Sequence, residues 1–160
     1  MKIDKLWNGL KQIANGDYVL EGDLISEETI EIDLDDRLVI KGTIKSGRNI
    51  VARCGIEAGG GIKAGGGIEA GWGIEAGDGI EAGWGIEAGD GIEAGDGIEA
   101  GCDIEAGSFI SVKKRIFAGI SLYRTSKDCD RTIRCAELRS GEICYGDLRL
   151  TKEAKPDDCI

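Results

Sequence analysis

Between Ile56 and Ala106 the chain places a glutamate at Glu57, Glu69, Glu75, Glu81, Glu87, Glu93, Glu99 and Glu105, with Lys63 standing in the same register. Asp78, Asp90, Asp96 and Asp103 fall between them, so residues 55–108 hold twelve carboxylates against one lysine. Carboxylates in this number can serve as acid–base groups, coordinate calcium, or set up a field that attracts a basic surface. A ladder of Glu side chains lacks the mixed backbone and side-chain geometry of calcium-binding loops, which turns the reading toward the field. Two tryptophans, Trp72 and Trp84, occupy places otherwise held by Gly, Asp, Cys or Ser, and an exposed aromatic there can anchor a protein interface or cover glycine backbone. Cys129, Cys135, Cys144 and Cys159 have spacings unlike the paired Cys-x-x-Cys of zinc sites. No metal, cofactor or catalytic residue is assigned from these patterns.

The elements that carry the carboxylates follow from a period of six. Each unit of GIEAGWGIEAGDGIEAGDGIEAG, Gly79 to Gly101, reads Ile-Glu-Ala-Gly-x-Gly. Isoleucine and alanine, two residues apart on extended backbone, point to one face and glutamate to the other. Gly-x-Gly then predicts a tight corner that uses glycine's access to positive φ. Glycine at this density excludes helix, at about 1 kcal/mol per interior residue. Stepping by six from Ile56 meets a large aliphatic downstream to Ile110, Ile116 and Leu122 and upstream to Ile50, Ile44, Leu38 and Ile32. The degenerate flanks therefore belong to the same array, and an unbroken register argues for stacked packing rather than disorder.

The expected fold is all-β: a β-solenoid, specifically a triangular β-helix of about three hexads per coil, on the strand spacing of ~4.8 Å. Two hexads per coil is the alternative, because Trp72 and Trp84, like Asp78 and Asp90, lie twelve residues apart. The 160 residues form one domain, read as an N-terminal cap over 1–20, the solenoid over 21–122 and a C-terminal cap over 123–160. Ile3, Leu6, Trp7, Leu10 and Ile13 predict a short N-terminal helical cap ended by Gly16. Two strands joined at Arg139-Ser140-Gly141-Glu142 predict a C-terminal β-hairpin cap. The start of the chain lacks the pattern of a signal peptide and no run of 18 apolar residues occurs, so a cytoplasmic setting with six reduced cysteines is expected.

The stretch LVIKGTIKSGRNIVARCGIEAG, Leu38 to Gly59, resembles the aliphatic-x-small-Gly rhythm of bactofilin-type polymer-forming β-helical proteins. The hexads also look like short GIEAG and GIKAG repeat proteins of gut bacteria and their mobile elements. The first resemblance implies a self-associating structural scaffold; the second implies a setting. Structured caps would depart from the bactofilin pattern of a bare solenoid. Other solenoid families fit less well. Hexapeptide acyltransferases and solenoid carbonic anhydrases depend on histidine, which this chain lacks. Pectin-degrading β-helices use longer coils with large loops, and ice-binding solenoids use ranks of threonine.

The formal charge is −10, which disfavours direct contact with nucleic acid or an anionic membrane. The twelve acids and one lysine of residues 55–108 amount to roughly one charge per 1.3 Å of axis if three strands make a coil, against about one per 1.7 Å in duplex DNA. The expected function is non-enzymatic: binding the basic surface of a partner protein, with mimicry of nucleic acid against a DNA- or RNA-binding enzyme such as a host defence nuclease as the sharpest form. The candidate partner-binding residues are Glu69, Glu75, Glu81, Glu87, Glu93, Glu99, Asp78, Asp90, Asp96, Trp72 and Trp84. A solubilising coat is the plain alternative, the bactofilin-like scaffold is the second function, and a homodimer is compatible with either. The basic Val112–Arg115 segment, VKKR, reads as a solvated strand edge.

Overall fold

The computed structural model describes residues 1–120 and 130–151. Wherever the hexad runs unbroken, Ile-x-Ala is extended, the isoleucine and alanine are buried, and the residue between them faces outward. This holds for nine consecutive three-residue strands, from β9 (Ile56–Ala58) to β17 (Ile104–Ala106). From β9 to β16 each pairs in parallel and in register with the strand eighteen residues further on, as Ile62 with Ile80, Ile68 with Ile86 and Ile74 with Ile92, whereas Ile104 of β17 meets Ile133. Backbone bonds continue the ladder through the corners, where the Gly77 N–H donates to the Ala58 carbonyl (2.9 Å) and the Asp96 N–H to the Asp78 carbonyl (3.1 Å). The result is a parallel β-solenoid of about seven turns, with no helix among the described residues.

The pairings form three ladders of strands. The first runs through Ile68, Ile86 and Ile104, the second through Ile56, Ile74 and Ile92, and the third through Ile62, Ile80 and Ile98. The isoleucines of all three meet in one continuous apolar core. Burying one such side chain contributes about 1.5–3 kcal/mol, so the repeat stabilises itself coil by coil.

The repeat glycines serve a purpose other than the expected one. Left-handed φ occurs at Gly9, Gly16, Gly22, Gly119, Gly141 and Gly146, and at none of the hexad glycines between Gly55 and Gly107. Close approach is the reason for them. A Cβ added to Gly77 would lie deep inside contact distance of the Gly59 carbonyl oxygen one coil away, and the same overlap recurs at the first glycine of the hexads from Gly59 to Gly95 and at Gly107. The second glycine is looser, since a Cβ on Gly79 would stand 3.1 Å from the Gly97 carbonyl oxygen.

Both predicted caps are corrected. Residues 1–20 form no helix: β1 (Lys2–Ile3) pairs in parallel with β5 (Ile30–Ile32), and β2 (Leu10–Gln12) pairs antiparallel with β3 (Tyr18–Leu20). Gly9 at φ +93° breaks the run, Leu6 is fully exposed and Ile13 is exposed, so the apolar face seen in sequence does not assemble. Raw strand edges of the first coil take the segment as strands, and that backbone pairing outweighs its helical spacing. At the other end the described residues form no hairpin. β20 (Glu137–Tyr145) runs straight through Ser140-Gly141 and pairs in parallel with β18 (Phe109–Ala118), while β21 (Asp147–Leu150) pairs in parallel with β19 (Thr132–Cys135). Stacking continues with inward positions now five apart, at Ile133, Leu138, Ile143 and Leu148.

Two register details also differ. Ile30, not Ile32, pairs with Ile50, because Asp33-Leu34-Asp35-Asp36 adds two residues to the first coils; Ile32 takes the place that alanine holds later, opposite Ala52. Upstream the six-residue step passes through Leu24 and Tyr18, in β4 (Leu24–Ser26) and β3. Lys113, Lys114 and Arg115 replace a glycine corner, so β18 is ten residues long and joins the second and third ladders into one thirteen-stranded sheet. Leu122 lies outside the described residues.

The glycine geometry predicts a sharp contrast between neighbours. Gly77→Ala must push two coils apart and should cost about 2–4 kcal/mol, whereas Gly79→Ala needs only a small adjustment and should change stability by about 1 kcal/mol or less. Denaturant unfolding followed by circular dichroism reads the difference, and equal losses at both positions would refute it.

Candidate functional site

The outward side chains stack like on like because the strands carrying them are in register. On the first ladder the column reads Glu31, Val51, Glu69, Glu87, Glu105 and Arg134. On the second it reads Val19, Val39, Glu57, Glu75, Glu93 and Ser111, of which Val19 and Val39 are buried. On the third it reads Ile25, Lys45, Lys63, Glu81, Glu99 and Phe117. Parallel strands stand about 4.8 Å apart, so successive carboxylates in each column are close like charges.

The predicted partner-binding residues therefore do not share one face. Glu69 and Glu87 belong to the first ladder, Glu75 and Glu93 to the second, and Glu81 and Glu99 to the third. The corner residues separate in the same way. Asp78 and Asp96 stack at one corner, where the Lys114 ammonium lies 2.7 Å from Asp96. Trp72 and Asp90 stack at a second, and Trp84 stands at the third between Gly66 and Cys102. The two tryptophans thus do not stack, despite their twelve-residue separation; they flank the first ladder from opposite corners.

Each run of stacked glutamates meets a cation at one end. Arg134 donates to Glu105 (2.8 Å), Arg37 lies 2.9 Å from Glu57 and 3.0 Å from Asp17, and Lys63 lies 2.6 Å from Glu81. Among the described residues Glu69, Glu75, Glu87, Glu93 and Glu99 form no ion pair. The sequence reading missed Arg37 and Arg134 as chain-end partners. Arg37 is found only once the two-residue insertion before it is placed, and Arg134 lies 29 residues from the glutamate it meets, outside the repeat.

Glu75 shows the effect of the stack on one group. Its carboxyl is pushed above the ordinary glutamate range, first by lost hydration and then by the charges of Glu57 and Glu93, with Arg37 opposing. The side chain is exposed, yet it borders a groove of about 470 Å³ floored by Gly55, Gly73 and Gly91 and walled by Trp72 and Phe109, which thins the water around it. A second groove follows Gly67 and Gly85 beside Glu69, Glu87 and Trp84. A third, about 1000 Å³, follows Gly61, Gly79 and Gly97 beside Lys63, Glu81, Glu99 and Phe117. Each glutamate column is therefore paralleled by a channel of bare backbone. Trp72 and Trp84 are about half exposed (45% and 49%), each lying along a channel.

The cysteines divide differently from the expectation of reduced thiols. Cys102 is disulfide-bonded, whereas Cys54, Cys135 and Cys144 are free. Burial raises the pKa of the Cys54 and Cys135 thiols. Cys129 and Cys159 lie outside the described residues. No group of three or more Cys, Asp or Glu capable of holding a metal ion occurs among the described residues.

Against known proteins, the chain matches no family model, no curated protein and no solved structure.

The raised Glu75 pKa makes the folded state hold its proton to higher pH than the unfolded chain. Stability therefore falls as pH rises from the ordinary glutamate range through the raised value, and the full penalty is present at neutrality. Glu75→Gln should gain about 0.5 kcal/mol at pH 7, the scale of one cross-strand charge pair, and the gain should vanish in acid below the ordinary range. Paired unfolding curves at neutral and acidic pH test this; a gain independent of pH would show that the charge is not responsible.

Proposed function

We propose that this chain is a non-enzymatic acidic β-solenoid that binds the basic surface of a partner protein. Its sharpest form is a nucleic-acid mimic that occupies the Lys- and Arg-lined channel of a DNA- or RNA-binding enzyme. The observation that carries the reading is the set of five glutamates without an ion pair, stacked on three columns around the rod. A soluble coat needs polarity, which lysine or alternating signs would supply with less repulsion between stacked neighbours. Uniform charge instead concentrates potential along the axis, the property that a phosphate backbone presents to its binding proteins.

With eighteen residues between paired strands, three hexads complete a coil and the cross-section is triangular; one column of charge then lies on each side. Such a rod offers acid to a groove from any direction of approach, as duplex DNA does. The channels beside the columns admit long basic side chains, and Trp72 and Trp84 give them an aromatic face for cation–π contact. The bactofilin-like scaffold remains the second reading, favoured by the parallel stack whose terminal strands β20 and β21 have no outer partner among the described residues.

The test removes one column at a time. Glu57, Glu75 and Glu93 changed together to Gln neutralise the second ladder, and Glu69, Glu87 and Glu105 changed to Gln neutralise the first. Against a panel of purified DNA- and RNA-binding enzymes, the parent should bind at least one, be displaced by duplex DNA or RNA, and lose affinity steeply with salt. At least one triple variant should bind tenfold or more weakly while unfolding no earlier than the parent. Salt-insensitive binding, or triple variants equal to the parent, would sink the mimic.

A further inference from the structure

Among the described residues the solenoid ends on β20 and β21. β20 pairs only with β18, and β21 only with β19, so their outer backbone N–H and C=O groups have no partner among the described residues. Leu148 stands in register with the fully buried Ile133, yet it is exposed, as are Tyr145 and Leu150; Leu138 and Ile143 are only partly covered. The apolar column that runs the length of the rod emerges here, beside an open sheet edge, and such an edge invites another strand.

Charge decides what can cover it. Residues 130–151 carry Asp130, Glu137, Glu142 and Asp147 against Arg131, Arg134, Arg139 and Arg149, so this coil is neutral, while residues 55–108 carry eleven net negative charges. A basic partner drawn to the rod finds no attraction at this end, and two rods lying side by side repel. The opposite end also leaves strand edges open, at β1, β2 and β4, but residues 1–36 carry ten carboxylates against three lysines, so two copies of that end repel.

We propose that the C-terminal coil, Glu137–Leu150, docks a second copy of this chain end to end about a two-fold axis. The same end meets itself, so the contact is isologous and closes at two chains. An antiparallel approach of β21 to its copy sets Asp147 against Arg149 in both directions when the axis passes at Leu148, and brings Leu148, Leu150 and Tyr145 of the two chains into one shared apolar cluster. The product is a discrete rod of double length, with both acidic shafts free. This inference rests on the neutral end and not on the glutamate columns, so it stands or falls apart from the partner-binding reading.

Sedimentation of the intact chain over a wide concentration range should show twice the 16.9 kDa protomer mass, persisting in high salt. Hydrogen exchange should show amides of residues 138–150 protected in the dimer and exposed on dilution. Leu148→Lys with Leu150→Lys should weaken dimerisation at least about tenfold by placing like charges across the axis, with the rest of the rod unchanged in exchange. If that variant misfolds, the dilution-dependent protection in the parent chain still decides. A monomer at every concentration overturns the proposal, whether its 138–150 amides are open or are protected from within the chain. Open-ended filaments, a dimer insensitive to the double substitution, or protection appearing in β1–β4 instead also overturn it.

Discussion

Close backbone contact between coils is the constraint on which the rest of this molecule depends. At the first glycine of the hexads from Gly59 to Gly95 the carbonyl of the coil below occupies the space a Cβ would need, so within the repeat adjacent coils meet at the corner over bare backbone. That contact locks the spacing between paired strands at eighteen residues through the repeat. With the spacing locked, isoleucine falls on isoleucine and alanine on alanine, and the core becomes a column with the same packing solution in every turn.

The same lock dictates the electrostatics. A perfect hexad stacked in register must place glutamate over glutamate, and no rotamer choice removes the neighbour one strand spacing away. The repulsion is visible in Glu75, held between Glu57 and Glu93. It is tempered where each run of glutamates meets a cation, at Arg37, Lys63 and Arg134, and left uncompensated along the middle. Lysine at every second position of a column would have balanced it, as Lys63 does beside Glu81. The middle of the rod forgoes that relief, and its glycine channels keep the carboxylates accessible rather than folded under neighbouring side chains.

The ends obey different rules from the shaft. At the N-terminus an insertion of acidic residues around Asp33 to Asp36 is clamped by Lys2, Lys5 and Arg53, and short strands cover the first coil. At the C-terminus the period shortens to five, the side chains of 130–151 become charge-balanced, and β20 and β21 have no outer partner among the described residues. Phe109 marks the transition: its ring fills the space over Gly91 and is covered in turn by the Arg139 guanidinium at 3.5 Å.

Periodicity alone was sufficient to find the solenoid, the buried isoleucine and alanine, and the outward glutamates, because a residue two positions from another on extended backbone has no other face to take. It also located the charge, since outward positions of a repeat are outward in every copy. Tertiary structure decided how the glutamates are shared among columns, because the six-residue step is equally compatible with stacking at twelve or eighteen residues, and only backbone pairing between coils distinguishes them. It decided the reason for the glycines, a contact between residues eighteen apart that no local window contains. It also decided the fate of both flanks, where Ile3 and Leu10 joined strands and Ser140-Gly141 stayed extended: a free sheet edge gains more from backbone pairing than a short helix or an isolated hairpin gains from its own local bonds.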